Sequence, residues 1–382
     1  MRAYPTKGQE TRANTMLRVH CDIYNACLEE RIKAHKMCGV SVSYKMQSAQ
    51  LSDVRAWYPK AAEFSFSAEQ RTAKRVDRAF KAFFDRCKRG DTPGFPRFKP
   101  WQRFDTVDHT AGDGSKWIPT ERRWARAYFQ GVGHIKVDEH TAIVGKVKTL
   151  SLIRDGRKWF VVVVAETADV VLPPTGRAVG IDVGIARFLT TSDGEIVDNP
   201  RFLATAAAEL TGLQRRYEAT GKRSKNLKRA IRKLHRKVKN QRLKFHHQTA
   251  RRLVNEYDVI VLEDLNIKSM SKRAKAKPDT DNPGTFLPNG ATAKTGLNNS
   301  ISDVGWGQFR NVIDAKAASA GRRTSFENPA YTSILCSYEG CGLRCERPEQ
   351  SVVICPAHGP IDADLNGAIN ILGRGLASSA AA

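Results

Sequence analysis

Ala178–Pro200 reads AVGIDVGIARFLTTSDGEIVDNP, and the fold turns on how this stretch is read. Val179-Gly180-Ile181 is an apolar β-type run that delivers Asp182 to the strand's centre or C-terminal half. Gly184 follows, then a second β-rich run, Phe188–Thr191, closed by the turn signal Ser192-Asp193-Gly194. A hairpin is the structure these residues favour. Asp182 has two readings, as a turn-former beside Gly184 or as a carboxylate presented by a strand. An isolated Asp-x-Gly does not separate them.

Working outward, the length of 382 residues fits two or three domains. The formal charge is +24 with pI near 9.9, and the excess is locally concentrated. That is the footprint of a polyanion-binding protein, with nucleic acid as the leading partner. A membrane role is excluded on two grounds: no apolar run approaches spanning length, and no amphipathic anchor with a bulky apolar face is present. The N-terminal MRAYPTKGQE lacks the apolar core of a signal peptide, which predicts a cytoplasmic protein of the prokaryotic cytosol or nucleoid.

Before the hairpin, apolar residues recur at three- and four-residue steps from Glu10 to Lys36 and predict a helix. A second is predicted near Gln47–Trp57, ended by Pro59. A third spans Ser67–Arg89, with Val76, Phe80, Phe83 and Phe84 as its apolar face. Arg71, Lys74, Arg75 and Arg78 stand on its remainder, either as a solvated surface or as contacts along a phosphate backbone. Gly90–Lys99, GDTPGFPRFK, stops that helix. Short β-type runs follow at Phe104–Val107, Tyr128–Phe129, Ile135–Val137, Ile143–Leu150 and Leu152–Ile153, then the strong strand signal of Arg157–Ala165. Their spacing predicts a small β-barrel.

After the hairpin, sixteen Lys or Arg and one acid, Glu218, lie between Arg215 and Arg252, while Leu227, Ile231, Leu234, Val238 and Phe245 keep an apolar stripe. One long helix is predicted, packed on one side and basic elsewhere. Like charges along a helix repel. Phosphate binding offsets that repulsion and makes affinity fall with salt, so Lys228, Arg232, Arg236 and Lys239 are further candidate nucleic-acid contacts. Tyr257–Leu262, YDVIVL, predicts a buried strand running into Glu263-Asp264. Lys268–Ser300 is expected to be a loop, Ile301–Ala320 a helix, and Arg322–Glu327 a strand.

Four of the eight cysteines, Cys336, Cys341, Cys345 and Cys355, fall within twenty residues. Cys336-x4-Cys341 and Cys355-x2-His358 form two ligand pairs flanking a hairpin, the outline of a tetrahedral zinc site with Cys345 as a substitute ligand. Four protein ligands leave no open position, so the zinc is expected to be structural. Asp364 then opens a short helix and, taken alone, reads as an N-cap. Asp182, Glu263 and Asp364 thus lie at strand ends or a helix start in three separated segments. A fold that gathers them would hold two Mg²⁺, one activating water and one stabilising the leaving 3′ oxygen of a phosphodiester.

GIDVGIARFLTT, VIVLEDLNI, SISDVGWGQFR, NPAYTSILC and DADLNGAINI, in this order, resemble the RuvC-type nuclease domain and zinc ribbon of TnpB proteins and type V CRISPR effectors. YPTKGQE and GFPRFK are similar to the N-terminal half of TnpB, so the resemblance covers almost the whole chain. It implies a multidomain α+β protein. Residues 1–10 and 90–172 would form a wedge, an oligonucleotide-binding-type β-barrel, with a helical recognition domain inserted at 11–89. Residues 173–328 and 360–382 would form an RNase H-like (RuvC) α/β domain, with a zinc ribbon at 329–359.

The resemblance further implies that Asp182, Glu263 and Asp364 are the metal-binding catalytic acids, Asp362 being the runner-up for the third place. A guide RNA, transposon-encoded or CRISPR RNA, would select double-stranded target DNA by pairing, next to a short flanking motif. The alternatives are an RNA-guided DNA-binding protein that does not cut and a DNA strand transferase of transposition. Two departures stand out. Relatives carry Cys-x2-Cys twice in the ribbon, and the N-terminus here is shorter, which predicts that the first barrel strand is missing or rearranged.

Overall fold

The computed structural model describes residues 1–382 except 121–122, 169, 283 and 381–382, together with the side chains of 379 and 380. The last two positions of the expected 360–382 segment therefore lie outside the described residues. The chain divides into two units, Met1–Ala168 and Asp169–Ala382.

In the first unit β1 (Arg2–Tyr4) leads into five helices: α1 (Lys7–Cys38), α2 (Tyr44–Ala49), α3 (Leu51–Trp57), α4 (Pro59–Ala62) and α5 (Phe66–Lys88). Thr6 and Gln9 close a capping box on α1, and Gly39 ends it in the left-handed conformation at φ 66°. Six strands follow: β2 (Thr106–Thr110), β3 (Ser115–Ile118), β4 (Trp124–Phe129), β5 (Gly133–Asp138), β6 (Lys146–Asp155) and β7 (Lys158–Glu166). They form one antiparallel sheet in the order β2-β6-β7-β1-β5-β4-β3, a nearly closed barrel. Helices and sheet share one core, in which Leu17, Leu28 and Val76 meet Val107, Phe129, Ile135, Leu150 and Val161.

Several expectations change here. The first barrel strand is present: β1 pairs with both β5 and β7. At three residues it is too short to show a period. The helix expected over Gln47–Trp57 is two, meeting at Gln50. Lys146–Leu150 of the expected Ile143–Leu150 run and Leu152–Ile153 belong to one strand, β6, whose register shifts between Val147 and Thr149. Phe84, expected on the buried face of α5, is 54% exposed.

The second unit opens with the hairpin: β8 (Ala178–Val183), β9 (Arg187–Thr191) and β10 (Ile196–Asp198), all antiparallel. Helices α6 (Phe202–Ala219) and α7 (Lys225–Glu256) lead to β11 (Val259–Glu263), which runs parallel to β8 as a helical crossover requires. Then α8 (Ile267–Met270), α9 (Ala291–Val304) and α10 (Trp306–Ser319) carry the chain to β12 (Arg323–Glu327), parallel to β11. The sheet order is β10-β9-β8-β11-β12. A small hairpin, β13 (Val352–Cys355) and β14 (Gly359–Asp362), precedes the last helix, α11 (Ala363–Ala380).

Val179, Ile181, Ile260 and Leu262 share a core with Leu253 of α7 and Phe309 and Ile313 of α10. The alternate residues Gly180 and Val261 meet α11 on the other face. Coverage on both faces explains why the central strands read as unbroken apolar runs. The expected single basic helix is two, α6 and α7, interrupted where Gly221 and Lys222 take left-handed conformations at φ 58° and 60°. The loop expected over Lys268–Ser300 holds the first ten residues of α9, and the helix expected over Ile301–Ala320 breaks at Gly305, φ 72°.

A methyl group at Gly180 would stand 2.1 Å from the Ala368 carbonyl oxygen, whereas one at Gly373 would meet nothing within 4 Å. Gly180→Ala is therefore expected to destabilise the second unit by about 1–3 kcal/mol through overpacking. Gly373→Ala, in α11, should stabilise it by several tenths of a kcal/mol or more through helix propensity. Urea-melt midpoints at unchanged slope check both.

Candidate active site and metal centre

Asp182 lies in the C-terminal half of β8 and Glu263 ends β11. The parallel register pairs Leu262 with Ile181, which sets Glu263 beside Asp182 at one end of the sheet. Asp364 lies in the first turn of α11. One turn on, a methyl group at Gly367 would stand 3.2 Å from Asp182 Oδ2, so the start of this helix is pressed against that carboxylate. The three acids, read from separate segments, are thereby gathered, each half-buried.

Their electrostatics follow from that crowding. Burial, then the charges of Glu263 and Asp364, push Asp182 up to about 8. Glu263 is raised by burial despite the Thr332 hydroxyl and Arg374, and Asp364 by burial and then Asp362. Asp362 behaves differently. Its upward push from burial is outweighed by Arg187, whose guanidinium donates to Oδ2 at 2.8 Å, and by the N–H groups of Asp364 and Leu365, which donate to Oδ1 at 3.0 Å. Asp362 is thus the residue that caps α11, correcting the N-cap reading of Asp364 and leaving Asp364 to face the site. Asp264, beside Glu263, pairs instead with Arg310.

Cys336, Cys341, Cys355 and His358 form the one group of His, Cys, Asp or Glu side chains, among the described residues, whose ligand atoms all lie within 4.8 Å of one another. Cys341 Sγ is 3.8 Å from Cys355 Sγ, and His358 Nδ1 is 3.5 Å from Cys336 Sγ and 3.6 Å from Cys355 Sγ. Gly340 and Gly342 flank Cys341 at φ 73° and 57°, the backbone of a tight knuckle. Tyr338 stacks on the His358 ring at 4.3 Å. Cys345 is buried nearby but outside this group, its Sγ 3.9 Å from the Leu343 carbonyl. A cluster of three thiols and an imidazole is a metal-ligand set.

The candidate nucleic-acid residues separate into two kinds. Arg71 donates to Thr110 and Thr149, Lys74 pairs with Asp77 at 2.7 Å, and Arg75 pairs with Asp108 at 3.6 Å and lies over Phe104. These three are engaged within their own unit, because α5 packs along β2. Arg78 is exposed. On α7, Lys228, Arg232 and Lys239 are exposed and Arg236 half-buried. Their spacing places all four on one helix face about 16 Å long.

Sequence reasoning missed Arg187, Thr332, Asn366 and Asn370. Thr332 donates to Glu263 Oε1 at 2.6 Å, and the two asparagines, four apart on α11, hold the chain around Cys336. That four-residue spacing on a helix opened by Asp364 was the available signal; Thr332 had none.

Residues 161–274 match the family described as "Probable transposase", and 306–371 the "Cas12f1-like, TNB domain". The chain is 31% identical to "Putative RNA-guided DNA endonuclease InsQ" of Escherichia coli (strain K12), over 81% of this chain and 74% of that one. It is 29% identical to "Putative RNA-guided DNA endonuclease" of Streptomyces pristinaespiralis, over 99% of this chain and 89% of that one. The Cas12f1 chain of a cryo-EM complex with sgRNA and target DNA aligns at TM-score 0.35 and 17% identity, covering 96% of both chains. Fold and site define a mixed α+β protein of two units, one of which gathers acids beside a Cys/His metal-ligand set. The chain belongs to the TnpB and type V CRISPR effector family.

Because folding raises the proton affinity of Asp182, the native state holds a proton that the unfolded chain has already released between about pH 4 and pH 8. Without added divalent cation, the wild type should lose stability as pH rises through that window. Asp182→Asn should lose less, so its stability advantage should grow from pH 4 to pH 8 in parallel denaturant melts.

Proposed function

We propose that the chain is an RNA-guided DNA endonuclease whose second unit contains an RNase H-like (RuvC) nuclease domain, with Asp182, Glu263 and Asp364 as its Mg²⁺-binding catalytic acids. One observation carries this reading: three carboxylates from distant segments meet at one sheet end in a chain of charge +24. The strand order, an antiparallel trio followed by two parallel strands, is the order expected of RNase H-like domains. The Escherichia coli and Streptomyces relatives carry the name of RNA-guided DNA endonucleases.

Burial, and then repulsion from Glu263 and Asp364, raise the proton affinity of Asp182, and a dication relieves the repulsion. Bound Mg²⁺ supplies Lewis-acid stabilisation of the phosphodiester and a water nucleophile at neutral pH. The chain's own part is to aim the carboxylates. Asp182 projects from the central strand between the other two, Glu263 is oriented by the Thr332 hydroxyl, and Asp364, with Asp362 taking the helix cap, is steered by the Arg187 guanidinium 3.5 Å from its Oδ2. Arg347, close enough to lower the proton affinity of both Asp182 and Asp364, adds positive charge for a phosphate.

The Cys336, Cys341, Cys355 and His358 set fits structural Zn²⁺. With Zn–S about 2.3 Å and Zn–N about 2.0–2.1 Å, tetrahedral ligand atoms stand roughly 3.5–3.8 Å apart. The separations here are 3.5, 3.6 and 3.8 Å. In this reading 1–10 and 90–172 form the wedge, 11–89 the recognition helices, 173–328 and 360–382 the nuclease domain and 329–359 the ribbon. Arg78 and the α7 row of Lys228, Arg232, Arg236 and Lys239 contact guide RNA or target DNA.

Purified with its RNA, the wild type is expected to cut double-stranded DNA matched to that RNA in Mg²⁺. Asp182→Ala should bind RNA and target but leave the DNA intact; cutting at the wild-type rate would overturn the assignment. Bound zinc, measured by plasma mass spectrometry, should stay at the wild-type level in Cys345→Ala and fall in Cys355→Ser.

A further inference from the structure

We propose that Thr332, Asn366 and Asn370 are positioning residues that tie the Cys/His cluster to the carboxylate site, so that a filled cluster holds Glu263 where it takes up divalent metal. The proposal rests on the carboxylates being the metal site argued above. The segment from Thr332 to Ser337 spans the two sites. At one end the Thr332 hydroxyl donates to Glu263 Oε1 at 2.6 Å, with the Pro329 carbonyl a more distant second acceptor at 3.1 Å. Tyr331, just before it, is held at φ 65°, a conformation that costs a non-glycine residue energy and persists only where its surroundings enforce it.

At the other end one side chain grips both sides of a cluster ligand. Asn366 accepts the N–H of Ser337 at 2.9 Å and donates to the Leu335 carbonyl at 2.7 Å, the two residues that bracket Cys336. Asn370, one turn along α11, donates to the same Leu335 carbonyl at 2.7 Å and to the Thr332 carbonyl at 2.8 Å. Asn366 is 0% exposed and Thr332 2%. Bonds of this kind, removed from bulk water, are stiff, and breaking one strands a buried polar group. The cluster and the orientation of Glu263 thus share one set of hydrogen bonds, anchored on the helix that carries Asp364 two residues before Asn366. Outer bonds that fix a ligand's direction govern metal affinity without touching the metal. By linkage, metal in the cluster then favours metal at the carboxylates.

The full-length protein with its RNA tests this through zinc content and Mn²⁺ uptake, followed by paramagnetic resonance of free Mn²⁺. The uptake lost in Asp182→Ala defines the carboxylate site. Thr332→Val and Asn366→Ala are expected to keep their zinc while the Mn²⁺ concentration for half-occupancy rises about tenfold. Thr332→Ser, which keeps the hydroxyl, should stay within about twofold of wild type. The Thr332→Val/Asn366→Ala pair should be no weaker than the weaker single variant, as expected of one linked network. Unchanged Mn²⁺ affinity in Thr332→Val would overturn the link, whether or not Asn366→Ala retains zinc. Undiminished Mn²⁺ uptake in Asp182→Ala would instead overturn the carboxylate reading beneath it.

Discussion

The backbone of α11 lies directly on the central strand β8, and the rest of the second unit is arranged around that contact. There is no room for a methyl group at Gly180, 2.1 Å from the Ala368 carbonyl, and little at Gly375, where one would stand 2.5 Å from a Val261 methyl. Two small residues, one on the strand and one on the helix, set the approach. Once seated, the helix has its first turn at the end of the sheet where Asp182 lies, and Asp364 has one direction to face. The opposite face of the same strands is filled by α7 and α10, so neither β8 nor β11 can slip without exposing apolar side chains to water.

Gathering acids opposes folding, and the sequence distributes the cost unevenly. Asp182 takes most of it, raised to about 8, while Asp362, two residues from Asp364, is held below its ordinary value by Arg187 and two helix N–H groups. Neighbouring carboxylates are thereby given opposite tasks, one fixing a helix start and one left with proton affinity to spare. Exposed cations such as Lys228, Arg232 and Lys239 on α7 add little at the site, since interactions between exposed charges fade beyond roughly 8–10 Å at physiological salt. Only nearby charges such as Arg187, Arg347 and Arg374 reach it.

What could be read from the residues follows from what local pattern encodes. The β8–β9 hairpin and β11 announced themselves through apolar runs bounded by Gly and Asp, so Asp182 and Glu263 were visible at strand ends. Their adjacency was not, because parallel register depends on a crossover that no local pattern specifies. The α9 helix buries only Ile301 and Val304, leaving too little apolar period to separate it from a loop. The break between α6 and α7 was masked by charge, and α6 itself buries no residue. Spacing left Cys345 as a substitute ligand, and only the side-chain positions separate it from the group of Cys336, Cys341, Cys355 and His358. Taken alone, Asp364 reads as a cap because a lone Asp before a helix usually is one; the cap lies two residues earlier, at Asp362.

The Cys/His cluster sits in the connection that brings the chain from β12 to α11, and its own buried apolar content is small: Val353 and Ala363 beside the cysteines. A core of that size cannot order a connection of this length by hydrophobic burial alone. A metal joining Cys336 to His358 closes a loop between residues 22 apart. By the chain-entropy estimate for a cross-link of that span, this removes about 3 kcal/mol of unfolded-state freedom. Ala363, in this small core, is also the first residue of α11. Stapling the ribbon therefore fixes where the helix begins, and where the helix begins decides where Asp364 stands relative to Asp182. The ligand cluster and the carboxylates are two ends of one constraint, joined through the helix that Gly180 admits to the sheet.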